Sequence, residues 1–439
     1  MSVINISNNK PGGRDLLFNP LDPSFNADPY PFYSKLRKDN PLHWSPMGFW
    51  VAADYDDVRI ALKDPRFVVK NIPDQIAKKS DILRSNLFGA QSDRNLAQLS
   101  SVSQTWLPFI EAPTHTRLRK LVGGAFQART VEKLRSKVKE EARRLIEQVR
   151  DKGQLDIMDD FARKLPFEVM ASMLGIPRQD FSLLMEWTEG LARILDPLVS
   201  LAEFRKIENA ARSFFAYLQA VIADHREKLP DDFLTALIMV REAGDSLEDE
   251  ELISIVMLLF IAGVETTVNL IGNGMLALLR NPERMADLRS NPELLPAAVE
   301  EMLRFDSPLQ MTSRVATEDL LLGKQEVRKG QQVYLLIGSA NRDQKHFESP
   351  DALDWTREPN QHLAFAVGHH ICLGASLARL EAQEAFRMLL DLLPDVALAI
   401  DTPNWRPHTV LRGMTKLPVK FAVSSAVRGK SPSPAPSPA

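Results

Sequence analysis

The sequence predicts a mostly α-helical fold with a minor antiparallel β region set to one side. Three observations lead there. Apolar residues recur at helical spacing through 131–149, 181–195, 202–222 and 377–392, with Pro and Gly clusters at the joins. An apolar run beginning near residue 252 belongs to a helix too uniformly apolar for a surface. Strand-like signals are short and few, chiefly 42–52 and 332–337.

The apolar helix is the most informative of these elements. Ser246-Leu247-Glu248-Asp249 reads as an N-cap followed by acids, and Asn281-Pro282 ends the segment. A helix of about 35 residues is roughly 50 Å long, enough to cross a whole domain. Between 252 and 264 only Ser254 is polar, a run too short for a bilayer, so the segment belongs in a protein interior. In its middle stand Ala262-Gly263-Val264-Glu265-Thr266-Thr267, a carboxylate and two hydroxyls that need a reason. The first strand region folds as a hairpin around Pro46-Met47-Gly48, and the second follows a Lys329-Gly330 turn. No period of solenoid or propeller length repeats.

The chain has 439 residues, 44% hydrophobic and 25% charged, enough for one large core. No linker divides residues 16–425, which read as a single domain; 1–15 read as a flexible N-terminus and 426–439 as a disordered Pro/Ser/Ala tail. A formal charge of −3 supplies no basic field for nucleic acid or an anionic membrane. The one cysteine excludes an internal disulfide and fits a cytoplasmic protein. The N-terminal residues lack the apolar stretch of a signal or membrane anchor.

That cysteine, Cys372, leads directly into the helical segment 375–392. A sulfur there faces free backbone N–H groups and the positive end of the helix dipole, which favours its thiolate. Gly368 and Gly374 let the backbone approach a flat ligand closely. The alternative is an inert buried thiol. The flanking residues Phe365-Ala366-Val367-Gly368-His369-His370-Ile371-Cys372-Leu373-Gly374 decide between them: they resemble the haem-binding segment of cytochromes P450, Phe-Gly-x-Gly-x-His/Arg-x-Cys-x-Gly. Ala366 departs from the pattern, and since Ala resists positive φ, a differently shaped hairpin is expected there.

Two further segments carry the resemblance. Glu301-Met302-Leu303-Arg304 is similar to the family's Glu-x-x-Arg helix, completed by Arg357; the spacing by itself also fits an ordinary helix ion pair. Residues 262–267 are similar to the family's oxygen-activation motif. Thr266 can bond back to the carbonyl four residues earlier and open the helix locally, while burial raises the Glu265 carboxyl toward a working proton donor.

The resemblance implies the P450 fold in one haem-containing domain, with haem b held by Cys372 as the metal ligand. It implies propionate or haem contacts from His115, Arg119, Ala262, Arg314, His362, Phe365, Gly368, His370 and Gly374. Glu265 and Thr266 would handle protons while one atom of O2 enters a C–H or C=C bond. Glu301, Arg304 and Arg357 would form a structural network. Electrons would come from NAD(P)H through a separate ferredoxin and ferredoxin reductase, docking near Arg117, Lys120 and Arg379. Leu259, Val264, Leu309, Met311, Val410 and Leu411 would line a pocket for an apolar small molecule in a monomeric enzyme. A peroxide-driven peroxygenase and a non-catalytic haem protein are the alternatives.

Overall fold

The computed structural model describes residues 22–69, 71–84, 98–195, 199–240 and 244–423; the 1–15 and 426–439 segments lie outside the described residues. The long apolar helix spans Asp249–Leu279 and starts later than Ser246. Glu248, not the serine, caps it: the Glu248 side chain takes the amide of Glu251, and the Glu251 carboxylate accepts from Glu248 N at 3.0 Å. Helices Lys164–Met173, Phe181–Ala192, Leu201–Lys228, Leu295–Phe305 and Ala375–Leu392 pack around it. This is one helix among the described residues long and apolar enough to cross a membrane, but 78% of its most apolar window is buried in protein. Its apolarity is therefore explained by the core.

The helical periodicity of 377–392 and 181–195 appears as Ala375–Leu392 and as Phe181–Ala192 with a short 3-10 extension. The 202–222 signal extends to Leu201–Lys228, held by a capping box between Ser200 and Glu203. The 131–149 signal splits into Ala128–Glu132 and Arg135–Glu147. At the break Arg135 reaches Glu132 and, at 2.6 Å, Glu384 of the helix Ala375–Leu392, a long-range pair that periodicity does not encode.

The larger sheet orders its strands as Leu42–Ser45, Phe49–Ala52, Gln332–Leu335, Thr312–Ala316 and Phe67–Val68. All neighbours are antiparallel except Phe49–Ala52 with Gln332–Leu335, which run parallel. The expected 332–337 strand stops at Leu335, and Ile337–Ala340 turns into a short helix. Register places Arg314 opposite Val333. That sets the guanidinium on the sheet's inner side, 3% exposed.

Candidate active site

Under the central helix lies a cavity of about 360 Å³. Leu258, Leu259, Ala262, Thr266 and Leu270 form one wall, at the spacing of successive helical turns. Leu309, Met311, Val410 and Leu411 form another, as the sequence predicts. Phe365, His370, Cys372 and Gly374 form the floor.

The floor is a hairpin that ends in a helix. Cys372 N donates to Phe365 O at 2.9 Å, and Gly374 precedes Ala375–Leu392, so the sulfur sits at the helix mouth. The Cys372 side is accessible because it faces the cavity. Burial pushes its thiol up, while the Gly374 amide, Arg119 and Arg379 pull it back. The reshaping expected at Ala366 does not occur: Ala366 takes φ +55°. The surrounding loop imposes the left-handed conformation at a cost of about 1–2 kcal/mol. Gly368 at φ +82° is required twice over, since a Cβ would also lie 3.0 Å from Leu62 O. At Gly374 a Cβ would meet no protein atom, leaving the cavity floor flat beside the sulfur.

At one edge of the floor basic side chains gather, with Glu111 the carboxylate beside them. Arg119, Arg314 and His370 line the cavity, and the His115 ring lies 4.4 Å from that of His370. His115 Nε2, His370 Nε2 and Arg314 Nε are buried with no hydrogen-bond partner. Glu111 is 3.5 Å from His370 Nε2, too long to satisfy it. Burial, then His370, Arg119 and His369, hold the His115 imidazole down to about 4, and burial lowers Arg314 to about 10. Donors left unpaired inside a protein call for an acceptor arriving from the cavity. His362 is not among them. It turns to Glu300 at 3.1 Å, and Arg379 takes the same carboxylate at 2.7 Å, so His362 serves an ion pair outside the cavity lining.

On the wall, Thr266 Oγ1 donates to Ala262 O at 2.8 Å and Thr267 Oγ1 to Gly263 O at 2.9 Å. The helix stays regular through both, without the expected opening. Val264 and Glu265 are turned away from the cavity lining. Val264 is packed in the core at 6% exposure, which corrects its placement among pocket residues. The Glu265 carboxylate is buried and pairs with Arg406, beyond which lie Arg163 and Glu189. Burial pushes its carboxyl up, and Arg406 opposes that.

Several functional candidates were not evident from sequence. Arg406 carries no local signal. Glu381 does: an acid on the apolar face of 377–392, it lines the cavity and is pushed well above the ordinary carboxylate range by burial. Glu301, Arg304 and Arg357 do come together, with Arg304 Nη2 2.7 Å and Arg357 Nε 3.5 Å from the Glu301 carboxylate. Of the cations proposed for docking, Arg117 is tied to Glu251 and Asp245, and Arg379 to Glu300.

The model of the cytochrome P450 family matches residues 84–393. The chain belongs to the cytochrome P450 family. This P450 is 39% identical over 401 residues to the biotin biosynthesis cytochrome P450 of Bacillus subtilis (strain 168), covering 90% of this chain and 97% of that one. It is 37% identical to the polyketide biosynthesis cytochrome P450 PksS of the same organism, over 93% and 99% of the two chains. Among solved structures, P450BioI in complex with acyl carrier protein ligated to hexadec-9Z-enoic acid superposes with a TM-score of 0.83 at 38% identity, covering 91% and 99%. P450s are oxidoreductases that bind haem, use O2 and draw electrons from redox partners. The flat floor at Gly374, the thiol at the helix mouth and the unpartnered donors at one edge fit such a group, whose carboxylates supply the missing acceptors.

Proposed function

We propose that this P450 hydroxylates or epoxidises an apolar small molecule, with Cys372 as the haem ligand and His115, Arg119, Arg314 and His370 as propionate partners. Haem b, when bound, supplies the activation of O2. Ala262 and Phe365 complete its bed, Gly368, which does not line the cavity, shapes the loop against Leu62 instead, and Cys372 is kept at the mouth of the following helix. Thr266 positions a water-borne proton on the cavity wall, and Glu265 replenishes it from the far side of the helix. The observation that carries the reading is the position of Cys372 on the floor of a cavity whose edge holds the unpartnered side-chain nitrogens of His115, Arg314 and His370.

Among the described residues, the ionisable groups lining the cavity are Arg119, Arg314, Tyr334, His370, Cys372 and Glu381. Leu258, Leu259, Leu309, Met311 and Val410 offer a neutral, oily wall, which supports an acyl or polyketide-like substrate. The complex of P450BioI with acyl carrier protein ligated to hexadec-9Z-enoic acid supports delivery of such a chain on a carrier protein. Electrons would reach the proximal side from NAD(P)H through ferredoxin and its reductase in the cytoplasm.

The test is spectral. Reduced, carbon-monoxide-treated protein should show the red-shifted band of thiolate ligation, and Cys372→Ser should lose it. Displacement of iron-bound water should then be titrated with free fatty acid, carrier-bound acyl thioester and a macrolactone. Absence of the red-shifted band would overturn the assignment of Cys372. Equal indifference to all these ligands would overturn the substrate class.

A further inference from the structure

On one face of the central helix Glu265, Asn269 and Asn273 stand in line, one turn apart and 5%, 1% and 2% exposed. All of them meet the same partner, the hairpin formed by Asn404–Trp405, Met414–Lys416 and the loop between them. Arg406 pairs with Glu265. Asn269 presses on Gly413 so closely that no Cβ fits there. Asn273 Nδ2 donates to Arg412 O at 3.0 Å.

The same hairpin forms part of the cavity wall through Val410 and Leu411. Its tip is bridged to one neighbouring segment: Gln310 N donates to Val410 O at 2.8 Å, and Arg412 N to Pro308 O at 2.8 Å, around the Leu309–Leu411 bridge. Arg406 N donates to Gly413 O at 2.9 Å, and His408 N to Arg406 O at 2.8 Å. The guanidinium on Glu265 and the apolar side chains on the cavity therefore belong to one hydrogen-bonded piece.

We propose that Arg406 is a positioning residue for the proton supply and that its hold on Glu265 depends on what fills the cavity. A ligand large enough to press Val410 and Leu411 outward moves the hairpin, draws Arg406 off Glu265 and lets that carboxylate take a proton from solvent. The proton enters past Glu189, whose side chain is 46% exposed and 3.7 Å from Arg163. The charged groups facing Glu265 are Arg406 from the hairpin, Arg163 with its partner Asp159, and Glu189. Linkage makes the coupling reciprocal: what weakens the Arg406–Glu265 pair must tighten ligands that press on the hairpin. The proposal rests on the role given to Glu265 above.

The test uses holoenzyme with imidazole as a small probe and clotrimazole as a bulky one. In infrared difference spectra clotrimazole, but not imidazole, should add a protonated-carboxyl band to the wild type, and Glu265→Gln should abolish that band. Arg406→Met should show the band without ligand and bind clotrimazole about tenfold more tightly, with imidazole affinity unchanged. Arg406→Lys, which keeps a charge, should lie between wild type and Arg406→Met. The proposal is overturned if clotrimazole adds no such band to the wild type, or if Arg406→Met tightens both probes equally. Neither measurement counts product, so an enzyme that turns over none of the substrates above leaves this inference standing, and loss of this inference leaves the reaction class untouched.

Discussion

Replacing Arg304 with Leu tests the buried ion-pair network of Glu301, Arg304 and Arg357. Arg304 is 0% exposed, and it donates from Nε and Nη2 to the Glu301 carboxylate, both at 2.7 Å. It also donates to Asn341 O at 2.9 Å, Pro350 O at 2.8 Å and Ala352 O at 3.1 Å. Without it Glu301, also 0% exposed, keeps Asp354 N at 2.9 Å and Asn360 Nδ2 at 3.1 Å, with Arg357 at 3.5 Å. Removing one partner of a buried ion pair costs about 3–5 kcal/mol. The orphaned carbonyls add about 1 kcal/mol or more each. The total reaches the lower part of the roughly 5–15 kcal/mol that holds a typical domain together. Urea unfolding followed by far-ultraviolet circular dichroism and haem absorbance should show Arg304→Leu scarcely folded. The double variant with Glu301→Leu should recover about 2–3 kcal/mol, because the buried carboxylate goes with its partner. A single-variant loss under about 1 kcal/mol, or a double variant costing the sum of the singles, would refute the reasoning.

Other perturbations follow from the site. Ala366→Gly should raise the urea midpoint by the equivalent of about 1 kcal/mol, since φ +55° strains Ala and not Gly. Glu381 is raised well above its ordinary 4.5, so its neutral form is the one the fold accepts; stability is full below that value and is lost as pH rises toward the folded one. Glu381→Gln should therefore raise the melting temperature more at about pH 8 than at about pH 4, and an equal shift at both would contradict a protonated Glu381. Arg119→Ala should speed loss of haem to an acceptor such as apomyoglobin, whereas His362→Ala should leave that rate unchanged, because His362 faces Glu300. Faster haem loss in the His362 variant would restore it to the propionate edge.

Much of the site was legible because its chemistry is local. The Cys372 segment, the Thr266 back-bond and the helix that follows the cysteine each depend on residues within a few positions of one another. The pocket residues Leu259, Leu309, Met311, Val410 and Leu411 were also foreseen from the family pattern. The misreadings have a common cause. Val264 sits beside cavity residues in sequence, but each helical residue is turned about 100° from the last, which carries it off the wall. His362 has the right chemistry for a propionate, yet Glu300 lies nearer.

Sequence by itself determined the helical class and the burial of the long helix expected from near 246 to 281, since each is set by side-chain type and short-range spacing. Only tertiary structure decided which cations stay unpaired, that Ala366 accepts a left-handed turn and that Arg406 reaches Glu265 across 141 positions of sequence. Those outcomes are competitions among groups brought together by packing, and the strength of a charge or the cost of a strained residue depends on what the folded chain places beside it.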